Sequence, residues 1–91
     1  MTSRSAAVKL AQAAGVGPGV TVVEVGPGKG FLTRELLAHV GRVIAIEKDE
    51  ALAAALPELI DNSNLQVITG DVRDFDPTKH GLRAGEYVVA A

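Results

Sequence analysis

Short apolar runs alternate along this chain with segments in which apolar residues recur every three or four positions. The runs are rich in β-branched residues, as is typical of strands buried on both faces of a parallel sheet. They predict strands at 20–25, 42–47, 65–69 and from 87 onward. The periodic segments predict helices at 3–14, 32–40 and 51–56. Pro57 is expected to end or kink the third helix, because proline lacks the N–H that a helix interior uses.

Strands that alternate with helices predict right-handed crossovers, and therefore an α/β fold with a parallel sheet and helices on its faces. The expected spatial order of the strands is 3-2-1-4, half of a doubly wound sheet. Such sheets bind ligands at the carboxyl ends of their strands. The loops that follow strands one, two and three are therefore expected to meet at one edge.

Composition narrows the class of protein. The chain has 91 residues, no cysteine, and nine basic against eleven acidic residues, for a net charge of −2. This length predicts one small domain, and the composition predicts a soluble cytoplasmic protein with no membrane span and no metal site. The charge excludes a strongly positive surface for a phosphate backbone. If a nucleic acid is the substrate, another segment must hold it.

Three glycines follow the first predicted strand at alternate positions, in the segment VVEVGPGKGFLT. Glycine lets the backbone approach a ligand without a Cβ clash. The spacing of Gly26, Gly28 and Gly30 is one residue tighter than the Gly-x-Gly-x-x-Gly of a dinucleotide site. It favours a ligand without pyrophosphate, such as S-adenosyl-L-methionine. The alternative is a plain tight turn.

Two acids follow the next two strands. Glu47 stands where doubly wound proteins place a carboxylate for both ribose hydroxyls, and Lys48 beside it joins the candidate cofactor site. The alternative for Glu47 is a solvated surface acid. Asp71 is suited to accept from an adenine amino group while the Val72 amide meets a ring nitrogen. The alternative for Asp71 is a turn-stabilising role.

Two residues near these loops carry further expectations. Glu24 lies on a buried strand, where an acid is costly without a partner. It is expected to bond loop amides or the ammonium group of the ligand. Phe75 either covers the adenine or plugs the sheet edge, and the second role is favoured.

Four motifs, VVEVGPGKGFLT, VIAIEKDE, VITGD and EYVVA, resemble in order and interval the ribosomal RNA adenine N6-dimethyltransferases, from about Ser3 to the last residue. The resemblance implies a class I, Rossmann-like methyltransferase fold, S-adenosyl-L-methionine as methyl donor, and rRNA of the small ribosomal subunit as partner. It also implies roles for single residues. The three glycines would line the methionine and ribose, Glu47 would hold the ribose hydroxyls, and Asp71 would contact the adenine.

Two family segments have no match in this sequence. Family members carry Gln-(Asn/His)-Phe-Leu before the first helix and Asn-(Leu/Ile)-Pro-Tyr after the fourth strand. The second segment is implied to hold the target base, so catalytic residues are expected beyond Ala91. Residues 1–91 are accordingly expected to be the amino-terminal part of a cofactor-binding domain. The helical RNA-binding domain would lie elsewhere, and this part alone is expected to be inactive.

Three other functions stay open on the sequence. A class I methyltransferase acting on protein or a small molecule would share the cofactor site. A nicotinamide-binding half-domain would share the strands and Glu47, although the tight glycine spacing and Asp71 argue against it. A module that binds the cofactor without transferring its methyl group is the third.

Overall fold

The computed structural model describes residues 19–83 and 85–90. The helix predicted at 3–14 lies outside the described residues. The elements, in chain order, are β1 (Thr21–Val25), α1 (Phe31–Leu37), β2 (Arg42–Glu47), α2 (Glu50–Leu59), β3 (Leu65–Thr69), two 3-10 helices (Val72–Asp74 and Pro77–His80) and β4 (Tyr87–Ala90). Among the helices that these residues form, none is both long and apolar enough to cross a membrane.

The four strands form one parallel sheet in the order β3-β2-β1-β4. The register sets Val23 beside Ile44 and Ala45 beside Val67. Thr21 of β1 lies beside the first residue of β4. Both the α/β class and the predicted strand order are therefore confirmed.

The two faces of the sheet are covered differently. On one face, α1 and α2 pack against alternate residues of the strands, and their buried contacts include Leu36 against Val22 and Leu56 against Ala45. On the other face, Val23 and Ile44 pack with residues of the connection between β3 and β4, whose buried member is Leu82. β1 and β2 form the centre of the core, while β3 and β4 are only half-buried.

The expectation that α2 ends at Pro57 is wrong. The proline lies inside the helix, which continues to Leu59, and the N–H of Ile60 still donates to the carbonyl of Leu56 over 2.9 Å. Pro57 is exposed, and the opposite side of α2 is anchored by buried residues such as Ala53. Tertiary burial of an amphipathic face thus outweighs the one hydrogen bond that proline removes.

Candidate functional site

The loops after β1, β2 and β3 meet at the carboxyl edge of the sheet, as predicted. The N–H of Gly26 donates to the carbonyl of Ile46 over 2.9 Å. The N–H of Gly70 donates to the carbonyl of Glu47 over the same distance. These bonds extend the strand ladders into the loops, so the three loops are held side by side.

Gly26 and Gly28 occupy the left-handed region, with φ of 69° and 57°. A Cβ at either position would meet no atom within 4 Å. Both glycines are therefore required by the turn itself, and the space in front of them is open. An open backbone at the carboxyl edge of a parallel sheet is where a ligand can approach closely.

Gly30 differs from its two neighbours because its missing side chain faces the core. Its φ is 84°, and a Cβ there would lie 2.7 Å from the Cδ1 atoms of both Leu56 and Ile60. Gly30 is also the residue from which α1 begins. The glycine is thus explained by packing of α2 against the loop, and the contact of Gly30 with a cofactor stays a prediction.

Glu47 is buried and faces the glycine loop from the end of β2. Its Oε1 accepts from the N–H of Gly28 and its Oε2 from the N–H of Asp49, each over 3.1 Å. A carboxylate offers about four acceptor positions. Two therefore remain, one on each oxygen, which is the arrangement that a vicinal diol can use.

Asp71 contacts two cationic side chains and stabilises the turn that follows it. Its Oδ1 accepts from the backbone N–H of Arg73 over 2.8 Å, and its Oδ2 accepts from the guanidinium of Arg73 over 2.7 Å. Lys48 Nζ lies 3.5 Å from the same Oδ2. These hydrogen bonds from Arg73, and then the nearby charges, hold the pKa of Asp71 well below its usual range. The turn-stabilising role that the sequence left open is therefore present.

Val72 follows Asp71 as the first residue of a 3-10 helix, so its N–H has no acceptor within that helix. A cleft of about 240 Å³ opens beside Asp71. Its walls are apolar at Ile46, Ile68 and Phe75, and Asp71 lies at its rim with Asp74. The cleft thus combines apolar walls with an ionised acceptor.

Phe75 has the plugging role that was favoured for it. It packs against the buried cluster of Val23, Ile44, Ile46 and Leu82. It also lines the cleft beside Asp71, and its contact with adenine stays a prediction.

Of the two partners expected for Glu24, the loop amides are wrong, and the ammonium group of the ligand stays a prediction. The Glu24 carboxylate accepts from the hydroxyl of Thr33 in α1, and no described loop amide donates to it. Both residues are buried. Burial raises the pKa of Glu24, and the Thr33 hydroxyl opposes that rise. The physical reason is the direction of the side chain, which points to the helix-covered face of the sheet and lies beneath α1.

Sequence reasoning missed two residues that build this edge. Asp49 begins α2 as its N-cap, accepts from the N–H of Leu52 over 2.9 Å, and donates its own N–H to Glu47. An aspartate just before a helical segment is a cap signal that was available. Thr33 gave no such signal, because its pairing with Glu24 depends on how α1 lies on the sheet.

The family model described as Ribosomal RNA adenine dimethylase matches residues 1–89 of this chain. The chain belongs to the ribosomal RNA adenine dimethylase family. The resemblance of the glycine loop and the two strand-end acids to this family is thereby confirmed at the level of membership.

Curated relatives in this family include Ribosomal RNA small subunit methyltransferase A of Moorella thermoacetica, which is 53% identical over 77 residues. The protein of the same name from Deinococcus radiodurans is 46% identical over 81 residues. These alignments cover 81% and 89% of this chain but 27% of either relative. The chain therefore spans about a quarter of the length of the curated relatives it matches.

Solved structures agree with this fold. The 23S rRNA methyltransferase ErmE superposes with a TM-score of 0.69 at 36% identity, over 81% of this chain and 31% of that one. The O-methyltransferase from Bacillus cereus, in complex with SAH, superposes with a TM-score of 0.73 at 21% identity, over 98% of this chain and 43% of that one. The second similarity concerns the fold alone. Together they establish a class I methyltransferase architecture for the described sheet and helices.

Proposed function

We propose that this chain forms the S-adenosyl-L-methionine-binding part of an enzyme that dimethylates adenine in rRNA of the small ribosomal subunit. The observation that carries the proposal is the placement of Glu47 beside the glycine loop, with Asp71 just after the next strand, in a member of the ribosomal RNA adenine dimethylase family. The curated relatives in the family are named for methylation of small-subunit rRNA, which supports this target.

The residues at the carboxyl edge fit the parts of this cofactor. The two remaining acceptor positions of Glu47 match the ribose hydroxyls, and the open backbone at Gly26 and Gly28 leaves room for the methionine portion. The cleft beside Asp71 matches adenine, a flat ring with one amino donor. Lys48 neutralises Asp71 from the β2 side. When bound, the cofactor would supply a methyl group on a sulfonium.

The chain's own contribution to methyl transfer is positioning. A methyl group on sulfur needs no covalent enzyme intermediate, so the rate depends on holding the acceptor nitrogen in line with it. The 91 residues contain no Asn-x-Pro-Tyr segment and carry a net charge of −2. We assign residues 1–91 to cofactor binding, and we assign the grip on the RNA and on the target base to other segments.

Calorimetric titration tests cofactor binding. S-adenosylhomocysteine is expected to bind to the 91-residue chain with a lower Kd than NAD, because the tight glycine loop suits a ligand without pyrophosphate. Equal or stronger binding of NAD would contradict the proposal and favour a nicotinamide half-domain. The absence of binding by either ligand would also contradict it.

A methylation assay tests the assignment of roles. The 91-residue chain and a full-length relative are incubated with labelled S-adenosyl-L-methionine and small-subunit rRNA, and dimethyladenosine is measured. The relative is expected to form product and the 91-residue chain to form none, because positioning of the base is lacking. Comparable product from both would show that the catalytic residues lie within these 91 residues.

A further inference from the structure

The connection between β3 and β4 runs from the carboxyl edge of the sheet to the opposite edge. It leaves the candidate site at Asp71, passes Phe75, and reaches the amino ends of β2 and β3 at His80. No helix longer than one 3-10 turn forms among its described residues. The position of its side chains is therefore set by contacts at its two ends rather than by a regular helix.

A polar network fixes the far end of this connection. Arg42 Nη1 donates to the backbone carbonyl of His80 over 3.3 Å, and Arg42 Nη2 donates to Gln66 Oε1 over 3.1 Å. Gln66 Nε2 lies 3.3 Å from His80 Nδ1. Because arginine can only donate, Gln66 turns its oxygen to Arg42 and its amide nitrogen to His80, whose Nδ1 accepts. Arg42 thus donates to the His80 backbone and to Gln66, and Gln66 donates to the His80 ring, so three hydrogen-bond contacts join the three residues.

The network connects to the candidate site through one aromatic pair. The His80 ring stacks on Phe75 with a centroid separation of 5.2 Å and an interplanar angle of 20°. Phe75 in turn lines the cleft beside Asp71. Its second support is the apolar cluster on the sheet. The sheet therefore supports one side of Phe75, and His80 sets the plane of its ring.

We propose that Arg42, Gln66 and His80 are positioning residues that hold the Phe75 ring as a wall of the cleft from the opposite edge of the sheet. This inference rests on the proposed function, since the cleft is taken as the adenine end of the cofactor site. The three residues do not touch the ligand. They act through the orientation of Phe75, which sets the width of the space between its ring and Ile46.

Two measurements on His80→Ala test the proposal. The Kd for S-adenosylhomocysteine is expected to rise about threefold to tenfold, the scale of one aromatic pair. The chain has two phenylalanines, Phe31 and Phe75, so NMR of the labelled rings carries its own reference. The Phe75 signals are expected to shift while those of Phe31, which is exposed, stay in place.

Matched variants separate positioning from a loss of fold. His39→Ala changes the other histidine, which is exposed between α1 and β2, and is expected to leave both readouts unchanged. His80→Phe keeps an aromatic ring beside Phe75 and is expected to restore most of the affinity and the Phe75 signals. If His80→Ala fails to fold, Gln66→Ala serves instead, because Gln66 is exposed and its removal frees the His80 ring.

The outcomes distinguish this inference from the proposed function. If the unmodified chain does not bind S-adenosylhomocysteine, the proposed function fails, and unchanged Phe75 signals in His80→Ala would then refute the network as well. The positioning role is overturned if the unmodified chain binds S-adenosylhomocysteine and both His80→Ala and Gln66→Ala keep its Kd and its Phe75 signals. Weaker binding with displaced Phe75 signals, restored by His80→Phe, supports it.

Discussion

The loop after β1 and the segment after β3 both face the candidate site, yet they are built in opposite ways. The first, residues 26–30, lies over buried groups. The N–H of Gly28 donates to Glu47, and Gly30 packs on α2. Glu24, just before the loop, lies beneath α1. The second, residues 70–76, rests on the sheet through Val72 and Phe75, but its charged groups at the cleft are held by exposed side chains, chiefly Arg73, which contacts Asp71.

Because of this difference, substitutions in the two regions are expected to have different effects on folding and on binding. In the loop after β1, the groups that would meet the ligand are continuous with the core, so a substitution disturbs both. In the segment after β3, exposed ion pairs contribute little to stability. A substitution in these ion pairs is expected to change binding with little effect on the fold.

The largest effect is expected for Gly30→Ala. Its Cβ would push two buried methyl groups, and its φ of 84° is unfavourable for any side chain. Overpacking and the left-handed backbone together predict a loss of about 2 to 4 kcal/mol in the free energy of unfolding. Urea denaturation measures it. Gly28→Ala, with open space at its Cβ, serves as the control and is expected to lose about 1 kcal/mol. Equal losses would show that packing on α2 is unimportant.

The next largest effect is expected for Glu47→Ala on binding. Loss of a charged acceptor for the ribose is expected to weaken binding of S-adenosylhomocysteine by about 1 to 3 kcal/mol. Titration calorimetry measures the change. Glu50→Ala, an exposed acid three residues away, is the matched control and should bind normally. An unchanged Kd in Glu47→Ala would return Glu47 to a purely structural role at the glycine loop.

A smaller effect is expected for Asp71→Asn. Removing the charged acceptor at the rim of the cleft is expected to raise the Kd for S-adenosylhomocysteine about threefold to tenfold. The urea midpoint should stay nearly constant, because the clasping Arg73 is exposed. Asp76→Asn is the control, since Asp76 caps the second 3-10 helix in the same way without lining the cleft. Equal effects of the two variants would refute a binding role for Asp71.

The smallest effect is expected in the pH dependence of stability. Burial raises the pKa of Glu24 above its ordinary value of 4.5, so its contribution to stability is fully present below pH 4.5 and is lost as the pH rises through the higher folded value. Glu24→Gln is expected to remove this loss and to be more stable than the parent at pH 7. Urea midpoints at pH 4 and pH 7 measure the difference.

The pKa shift of Asp71 has the opposite sign to that of Glu24 and serves as a comparison. The pKa of Asp71 is lowered, so its contribution is present above pH 3.8 and is lost only as the pH falls through the lower folded value. Asp71→Asn should therefore leave the slope of the free energy of unfolding against pH unchanged between pH 4.5 and pH 7. A Glu24→Gln variant with the same pH slope as the parent would contradict the raised pKa.

Much of the fold was predictable because the strands are continuous apolar runs. Their alternation with helices predicts the order β3-β2-β1-β4, and that order brings Glu47 and Asp71 to one edge. The candidate site follows from topology alone, since parallel strands present their carboxyl ends together. Local pattern was sufficient for these features.

The remaining features depend on packing that no local pattern contains. Pro57 stays within α2 because the opposite side of the helix is buried. Glu24 meets Thr33 because α1 lies across β1, and the Arg42–Gln66–His80 network joins residues up to 38 positions apart. The assignment of Gly30 to packing likewise required the position of Leu56 and Ile60. Each of these features depends on residues that are separated in the sequence and adjacent in the folded chain.

The contact of Gly30 with Leu56 and Ile60 also has a consequence for how such a sequence can diverge. The three positions share one small volume, so the allowed residue at position 30 depends on the residues at positions 56 and 60. The clash of a side chain at position 30 is relieved only after both neighbours have been shortened, and the left-handed backbone still disfavours a side chain there. Divergence at this loop is therefore ordered: the change in α2 precedes the change in the loop, and the reverse order passes through a destabilised intermediate.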